Sequence, residues 1–213
     1  MNKIKWALVL PDIHHPYHNR ACMRAIFRWL KEYGKKLDHL VLLGDQMDFN
    51  TISHWMKDKK RPLEGKRLIR DYKDFDRDIL TPIESYINKD CKKVFFIGNH
   101  EDWVEQAIDL NPQVEGYWEI DTNLKLTDRD WQIIPLNESH NLGKLKLIHG
   151  YYTNEFHAKK TVQAFCCSVA YGHTHDVQEY TQVVIHSSDV HKAHSIGCLC
   201  DKDPAYMKKR PHK

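Results

Sequence analysis

The sequence lacks the long hydrophobic run that a membrane-spanning helix needs. Its longest uninterrupted apolar run, Trp6–Leu10, is five residues long, whereas a membrane-spanning helix takes about 18 or more. The sequence also lacks a strong excess of one charge, because 32 basic residues face 29 acidic ones and leave a net charge of +3. This near-neutral balance does not by itself indicate a nucleic-acid-binding protein. We therefore expect no membrane contact, and charge alone leaves the partner open.

The six cysteines lack the spacing of a zinc site or a redox site. No pair is separated by the two residues typical of such sites, and the adjacent Cys166 and Cys167 are too close for an unstrained disulfide. The N-terminal region also has no apolar core long enough for a secretory signal peptide. We therefore expect free thiols and a cytoplasmic protein.

Histidine, in contrast, is abundant, with 15 residues in a chain of 213. Such an excess suggests metal ligation or proton transfer, although ordinary surface histidines are included in that number. Hydrophobic residues make up 41% of the chain and charged residues 29%, which is typical of a globular protein. The length predicts a single domain over residues 1–213, with a basic tail at about residues 204–213.

Five short apolar runs each end at a glycine or proline turn that carries a potential metal ligand. Continuous runs of this kind predict strands buried on both faces, and they are Trp6–Leu10, Leu40–Leu43, Val94–Ile97, Leu145–Ile148 and Ser168–Tyr171. Between them, apolar residues at helical spacing predict helices in Asn19–Gly34, Arg67–Asn88 and His157–Phe165. Two later segments, Tyr180–Ile185 and Ala193–Leu199, are candidates for antiparallel strands of a second sheet. This alternation predicts a layered α/β fold with polar residues gathered at the carboxyl ends of strands.

The turns after these strands carry five motifs, each of which is weak when taken singly. Asp12-Ile-His14 alone is more often a capped turn than a pair of ligands. In chain order the motifs are Asp12-Ile-His14, Gly44-Asp-Gln-Met-Asp48, Gly98-Asn-His-Glu101, His149-Gly150 and Gly172-His-Thr-His175. Over residues 5 to about 200, this series resembles the calcineurin-like metallophosphoesterases. The pattern of that family runs D-x-H, G-D-x-x-D, G-N-H-[D/E], a lone H and G-H-x-H.

The spacing within the motifs also predicts the direction of the side chains. Asp12 and His14 are two residues apart, as are His173 and His175. In an extended chain, both members of such a pair point to the same face. Asn99 and His100 are adjacent, so we expect one to face the metal site and the other to point across it.

The resemblance implies a two-sheet α/β sandwich flanked by helices, in αββα layers, with two divalent metal ions at the strand ends. By the family pattern, Asp12, His14 and His175 hold one ion. The other ion is held by Asn99, His149 and His173, and Asp45 bridges the two.

The resemblance also implies two catalytic residues beside the metal ligands. His100 corresponds to the non-ligand histidine of the family, which contacts the substrate phosphate, as Asn99 does, and protonates the leaving alkoxide. Asp48 would orient His100. The structural alternatives are a helix-capping Asp48 and a buried, hydrogen-bonded His100.

Oxygen and imidazole ligands without thiolate fit Mn²⁺, Fe, Zn²⁺ or Ni²⁺. Manganese is favoured because members of the family are commonly active with it. Two ions about 3.5–4 Å apart can share a water molecule and lower its pKa towards 7. The resemblance therefore implies a hydrolase of ester bonds, in which a metal-bridging hydroxide attacks a phosphodiester.

The substrate is less closely defined than the reaction. Protein phosphatases of this superfamily carry a phosphate-binding arginine where this chain has Phe49, which argues against a protein phosphatase. The short chain with Gly98-Asn-His-Glu101 resembles the small bacterial and phage phosphoesterases, which include phosphodiesterases, nucleotide hydrolases and relatives of nucleases. We therefore favour a nucleotide or nucleic acid as the substrate. The basic segment His54–Pro62 with Lys66-Arg67 is a candidate phosphate grip or a solvated surface, and Trp103 is a candidate for base stacking or for packing. The alternatives are a phosphomonoesterase of broad specificity and, outside enzymes, a catalytically silent binding scaffold. The oligomeric state is not defined.

Overall fold

The chain folds into two β-sheets in a computed structural model that describes residues 5–53, 56, 60–183 and 189–202. The first sheet is parallel and has the order β1-β2-β3-β4. Its strands are β1 (Ala7–Leu10), β2 (His39–Leu42), β3 (Lys92–Phe96) and β4 (Trp131–Ile134). The second sheet is mixed and has the order β5-β6-β7-β9-β8. Its strands are β5 (His140–Leu142), β6 (Leu145–Ile148), β7 (Val169–Tyr171), β8 (Val177–Val183) and β9 (Val190–Ile196).

Helices connect the strands of the first sheet and cover one face of the second. They are α1 (Arg20–Tyr33), α2 (Lys60–Leu63), α3 (Leu68–Phe75), α4 (Thr81–Tyr86), α5 (Asn99–Leu110), α6 (Ile120–Leu124) and α7 (His157–Phe165). Asn19 caps α1, since its Oδ1 accepts hydrogen bonds from the main-chain N–H groups of Ala21 and Cys22 at 3.0 Å. No helix among the described residues is long and apolar enough to cross a membrane.

The alternation of side chains along β2 divides the core into layers. Leu40 and Leu42 pack with the helices that cover the first sheet, whereas Val41 and Leu43 pack against the second sheet, together with Leu147 of β6. On the far face of the second sheet, a third cluster joins Ile148 and Val169 to Ala158 and Val162 of α7. The resulting order is helix, sheet, sheet, helix, which confirms the predicted αββα layers.

The structure confirms most of the predicted elements and adds several others. The five apolar runs form β1, β2, β3, β6 and β7, but β6 and β7 belong to the second sheet and not to the first. The predicted helix Arg67–Asn88 forms α3 and α4, joined by a π-helical turn at Asp76–Leu80. Five further elements, α2, β4, β5, α5 and α6, were not predicted, because their apolar runs are short or lie inside charged sequence.

The two extended segments predicted near the C-terminal end form β8 and β9, with shifted boundaries. The two strands pair antiparallel, as expected, and β9 also runs parallel to β7. The segment 184–188, most of the basic segment His54–Pro62 and the tail at 204–213 lie outside the described residues.

We expect the substitution Leu147→Ala to lower the free energy of unfolding by about 2–5 kcal/mol. Leu147 is completely buried between the two sheets, so truncation would leave a cavity in the layer that joins them. Urea denaturation followed by tryptophan fluorescence would measure the loss. The matched control is Leu110→Ala, since Leu110 is 82% exposed and its truncation should change stability by no more than about 0.5 kcal/mol. Equal effects of the two substitutions would contradict the described layering.

Candidate metal centre

The loops after β1, β2, β3, β6 and β7 meet at one end of the two sheets and bring the five motifs together. The first group of potential ligands contains Asp12, His14, Asp45 and His175, whose ligand atoms all lie within 4.8 Å of one another. Within it, His14 Nε2 lies 3.0 Å from His175 Nε2 and 3.7 Å from Asp45 Oδ2. His175 Nε2 is also 3.4 Å from Asp12 Oδ1. These side chains therefore converge on a small space.

A second group contains Asp45, His149 and His173, again with ligand atoms within 4.8 Å of one another. His149 Nε2 lies 3.4 Å from Asp45 Oδ2 and 3.1 Å from Asn99 Oδ1, which brings Asn99 to the same place. Asp45 belongs to both groups. The structure thus brings together all seven residues predicted as metal ligands, and Asp45 lies between the two sets.

Hydrogen bonds at one ring nitrogen fix the direction of the other. His149 Nδ1 donates to the carbonyl oxygen of Leu43 at 2.9 Å, and His14 Nδ1 donates to Asp48 Oδ1 at 3.2 Å. Since Nδ1 carries the proton in each neutral ring, Nε2 presents a lone pair to the centre. The buried Nδ1 of His173 has no hydrogen-bond partner among the described residues.

The donor set fits divalent cations because it directs electron-rich atoms at one another. Asn99 Oδ1 faces His149 Nε2, and the Nε2 atoms of His14 and His175 face each other. Without a proton or a cation between them, two such atoms repel each other. A divalent cation bound to both removes that repulsion.

The pKa shifts of the buried aspartate and histidines also show that positive charge is favourable at this site. Burial would raise the pKa of Asp45, but the charges of His149 and His100 hold it well below its usual range. Burial opposes protonation of His14, yet the hydrogen bond to Asp48 and the charge of Asp45 raise its pKa to about 9. In His149, the charge of Asp45 likewise outweighs burial and raises the pKa to about 10. Protons on imidazole thus offset the carboxylates in the metal-free chain, and metal ions can replace them.

The backbone of the ligand loops is strained, which corrects one expectation from the sequence. Asp12, His14, Asp45, His173 and His175 all have positive φ, between 47° and 68°. The chain is therefore not extended at these pairs, and the prediction that an extended chain directs both members to the same face is wrong. Left-handed conformations cost non-glycine residues about 1–2 kcal/mol each, and such strain is concentrated at functional sites.

Three motif glycines are required by the close approach of the backbone to these side chains. A Cβ atom on Gly172 would lie 2.1 Å from Asp12 Oδ2, and one on Gly98 would lie 2.3 Å from Asp45 Oδ1. At Gly44, where φ is +91°, a Cβ atom would meet the His149 ring at 2.4 Å. Any larger residue at these positions would displace a potential ligand.

Glu101 positions the centre, although the sequence pattern assigned it no role. Its buried carboxylate accepts hydrogen bonds from the main-chain N–H groups of Asp45, Gln46, Met47 and Gly98, at 2.8–3.1 Å. It thereby joins the loop after β2 to the start of α5. Burial and the charge of Asp45 raise the pKa of Glu101 to about 7 despite these hydrogen bonds. The acidic fourth position of the motif Gly98-Asn-His-Glu101 was the signal for this role.

His100 lies at the N-terminal end of α5, beside the ligand groups. Its Nδ1 donates to the main-chain carbonyl of Asp48 at 2.9 Å, while the Asp48 carboxylate is 3.9 Å from it and closer to His14. The His100 ring lies edge-on to His14, with centroids 4.4 Å apart, and Trp103 packs on it at 3.9 Å. Asp48 therefore faces His100 mainly through its backbone, and Trp103 packs against the site.

Other predicted residues lie around the centre or away from it. Phe49 is buried and packs against Tyr72. Lys66, from the basic segment, donates to the hydroxyl of Tyr17 at 2.8 Å, and Asn50 Nδ2 donates to the same hydroxyl at 2.9 Å. His157 is structural, since its ring nitrogens contact the Tyr171 hydroxyl at 2.6 Å and an Asp176 oxygen at 3.0 Å.

The sequence model of the calcineurin-like phosphoesterases matches residues 6–165 of the chain. The matched region contains the first four motifs, and His173 and His175 lie beyond it. No curated protein matches the sequence. Among solved structures, the chain is similar to nuclease MPE from Pseudomonas putida, with 16% sequence identity and a TM-score of 0.37. That alignment covers 89% of this chain and 72% of the nuclease chain.

Substitution of Glu101 by glutamine should destabilise the metal-free protein by about 2–3 kcal/mol. An amide –NH₂ group would then face main-chain N–H groups and leave buried donors without an acceptor. Urea denaturation in the presence of a chelator measures this loss. Glu105→Gln is the matched control, because Glu105 is exposed on the same helix and should change stability by no more than about 0.5 kcal/mol. A Glu101→Gln variant as stable as the parent protein would show that the carboxylate does not hold the two loops.

Proposed function

The chain belongs to the calcineurin-like phosphoesterase family, and on that premise we propose that it hydrolyses phosphodiesters with the help of two divalent cations. The observation that carries the proposal is the position of Asp45. Its carboxylate belongs to both groups of potential ligands, which is the arrangement that a bridging ligand requires. A site for a single ion would not need the second group.

The side chains divide between the two proposed ions as follows. One ion would be held by Asp12, His14, Asp45 and His175, and the other by Asp45, Asn99, His149 and His173. When bound, the ions would lower the pKa of a water molecule towards about 7 and offset the charge of the phosphate. Imidazole and oxygen donors suit Mn²⁺, Fe, Zn²⁺ or Ni²⁺, and Mn²⁺ is the ion that we propose.

His100 is proposed to bind the phosphate and to donate a proton from Nε2 to the leaving oxygen. The hydrogen bond from Nδ1 to the Asp48 carbonyl, together with the rings of His14 and Trp103, fixes the plane of the imidazole. Burial lowers the pKa of His100, so its protonated form releases a proton readily. Asp48 supports the arrangement from both its carboxylate and its carbonyl.

Two features favour a phosphodiester, and a nucleotide or nucleic acid in particular. Phe49 is buried, so no side chain at that position grips a phosphate as arginine does in protein phosphatases. Tyr17 lies three residues after His14, and its hydroxyl receives hydrogen bonds from Lys66 and Asn50. This cation beside the ligand loops could bind a second phosphate of an extended substrate.

The decisive experiment measures metal content and turnover of one preparation, stripped with a chelator and reloaded with Mn²⁺. We expect two Mn²⁺ per chain and faster hydrolysis of bis-p-nitrophenyl phosphate than of p-nitrophenyl phosphate. Dinucleotides, cyclic nucleotides and single- and double-stranded DNA would then define the substrate class. A preference for the monoester would favour the phosphomonoesterase, and bound Mn²⁺ without turnover of any ester would indicate a silent scaffold.

In the same assays, Asp45→Asn should remove at least one Mn²⁺ per chain and reduce turnover by about 100-fold or more. The amide is nearly the same size as the carboxylate, so the change removes charge and bridging capacity with little change of shape. Asp109→Asn, at an exposed position of α5, is the matched control and should behave as the parent protein. An Asp45→Asn variant that keeps both ions and full turnover would refute the bridging role.

The substitution His100→Ala should reduce kcat by about 100-fold with a nucleoside leaving group and by much less with p-nitrophenol. A poor leaving group needs protonation, whereas p-nitrophenolate departs without it. The comparison requires kcat for matched esters of both kinds. His194→Ala, at an exposed histidine of β9, serves as the control. Equal losses on good and poor leaving groups would mean that His100 does not donate the proton.

A further inference from the structure

The segment Cys198-Leu199-Cys200 crosses the loop that carries Asp12 and His14. The main-chain N–H of Leu199 donates to the carbonyls of Pro11 and Asp12 at 3.2 and 3.1 Å, and its own carbonyl accepts from Asn19 N–H at 2.7 Å. Cys200 continues this contact as an antiparallel bridge with His18. Backbone hydrogen bonds therefore hold the segment against the loop that carries Asp12 and His14, and they fix the positions of its two cysteines beside the centre.

The two thiols lie directly behind His175. Cys200 Sγ is 3.7 Å from His175 Nδ1, and Cys198 Sγ is 3.8 Å from the main-chain oxygen of the same residue. The two sulfurs and a ring nitrogen of His175 all fall within 4.8 Å of one another. Cys200 is 7% exposed and Cys198 is half-buried. Both thiols are free.

This contact gives the Cys200 sulfur a definite effect on His175. With Nε2 facing Asp12 and His14, the proton of the neutral ring lies on Nδ1, which donates to the sulfur. Hydrogen bonds of this kind fix the orientation of metal-binding imidazoles, and their loss typically weakens metal binding about 10- to 100-fold. This step rests on the proposed role of His175 as a metal ligand.

We infer that Cys198 and Cys200 form an oxidisable dithiol whose conversion to a disulfide weakens metal binding through His175. With hydrogen peroxide as the oxidant, one thiol is oxidised to a sulfenic acid and one water molecule is released. The second sulfur then attacks the sulfenic sulfur, the S–S bond forms and a second water molecule leaves. The two thiols lose two protons and two electrons, and the peroxide is reduced to two water molecules.

The disulfide changes both the position and the chemistry of the Cys200 sulfur. Bond formation draws that sulfur towards Cys198 and away from the His175 ring. The sulfur of a disulfide is also a poorer acceptor for Nδ1–H than the sulfur of a thiol. A ring closed over only one intervening residue, Leu199, is strained, and strained disulfides are reduced easily. The modification is therefore reversible by thiols.

The test uses the full chain, reduced, stripped of metal and then treated with hydrogen peroxide or left untreated. Trypsin cleaves after Lys192 and Lys202 and places both cysteines, without any other, in the peptide Ala193–Lys202. Mass spectrometry should find this peptide lighter by two hydrogen atoms after peroxide and restored by dithiothreitol. Titration with Mn²⁺, followed by the electron paramagnetic resonance of free Mn²⁺, should give affinity for one ion about 10-fold weaker in the oxidised protein.

Two variants separate the dithiol from general oxidation. Cys198→Ser keeps Cys200 beside His175, so its Mn²⁺ affinity should equal that of the parent protein and should no longer respond to peroxide. Cys166→Ser removes an exposed thiol elsewhere and should leave the response intact.

The inference would be overturned if the peptide kept its mass while other cysteines were oxidised, or if the disulfide formed without any change in Mn²⁺ affinity. A reduced protein that binds no Mn²⁺ would instead contradict the proposed metal centre, and with it the coupling to His175. The peptide mass reports on the dithiol independently of that result.

Discussion

The burial of four carboxylates at one end of the sheets is the constraint on which the rest of this structure depends. Asp12, Asp45, Asp48 and Glu101 are each at most 2% exposed, and buried negative charge is unfavourable unless it is compensated. Main-chain N–H groups supply part of the compensation, at Glu101 most completely. Imidazoles supply further positive charge, because the neighbouring carboxylates raise the pKa values of His14 and His149 and favour their protonated forms. The proposed divalent cations would complete the balance.

The fold meets this constraint by placing irregular backbone where a regular backbone would not serve. The parallel strands place the loops that follow them at one end of the sheets, and the proposed ligands lie in or directly after these loops, beyond the ends of the strands. Positive φ at five of the proposed ligand positions then turns the side chains inward, and glycines at 44, 98 and 172 let the backbone approach them. Glu101 ties two of these loops together. The strain is stored in loops that are anchored to buried strands, so the core can sustain it.

The sequence predicted the layers and the gathering of the site because both depend on local signals. Apolar runs such as Leu40–Leu43 mark buried strands, and each motif follows such a run directly. Other features depend on contacts between distant residues, which spacing does not encode. The assignment of β6 and β7 to the second sheet, the four hydrogen bonds to Glu101 and the approach of Cys200 to His175 all belong to this class. The left-handed backbone at Asp12 and His14 was also not predicted, because the conformation of this loop depends on its contacts with the neighbouring loops.

The two sheets contribute unequally to the proposed ligand sets. Asp12, His14, Asp45 and Asn99 follow strands of the first sheet, while His149, His173 and His175 follow strands of the second. Each proposed ion would therefore span the seam between the sheets, which is otherwise closed by apolar contacts. During synthesis, the histidines of the second sheet leave the ribosome well after the aspartates of the first. Cation capture would accordingly be a late event that follows the docking of the sheets and locks it.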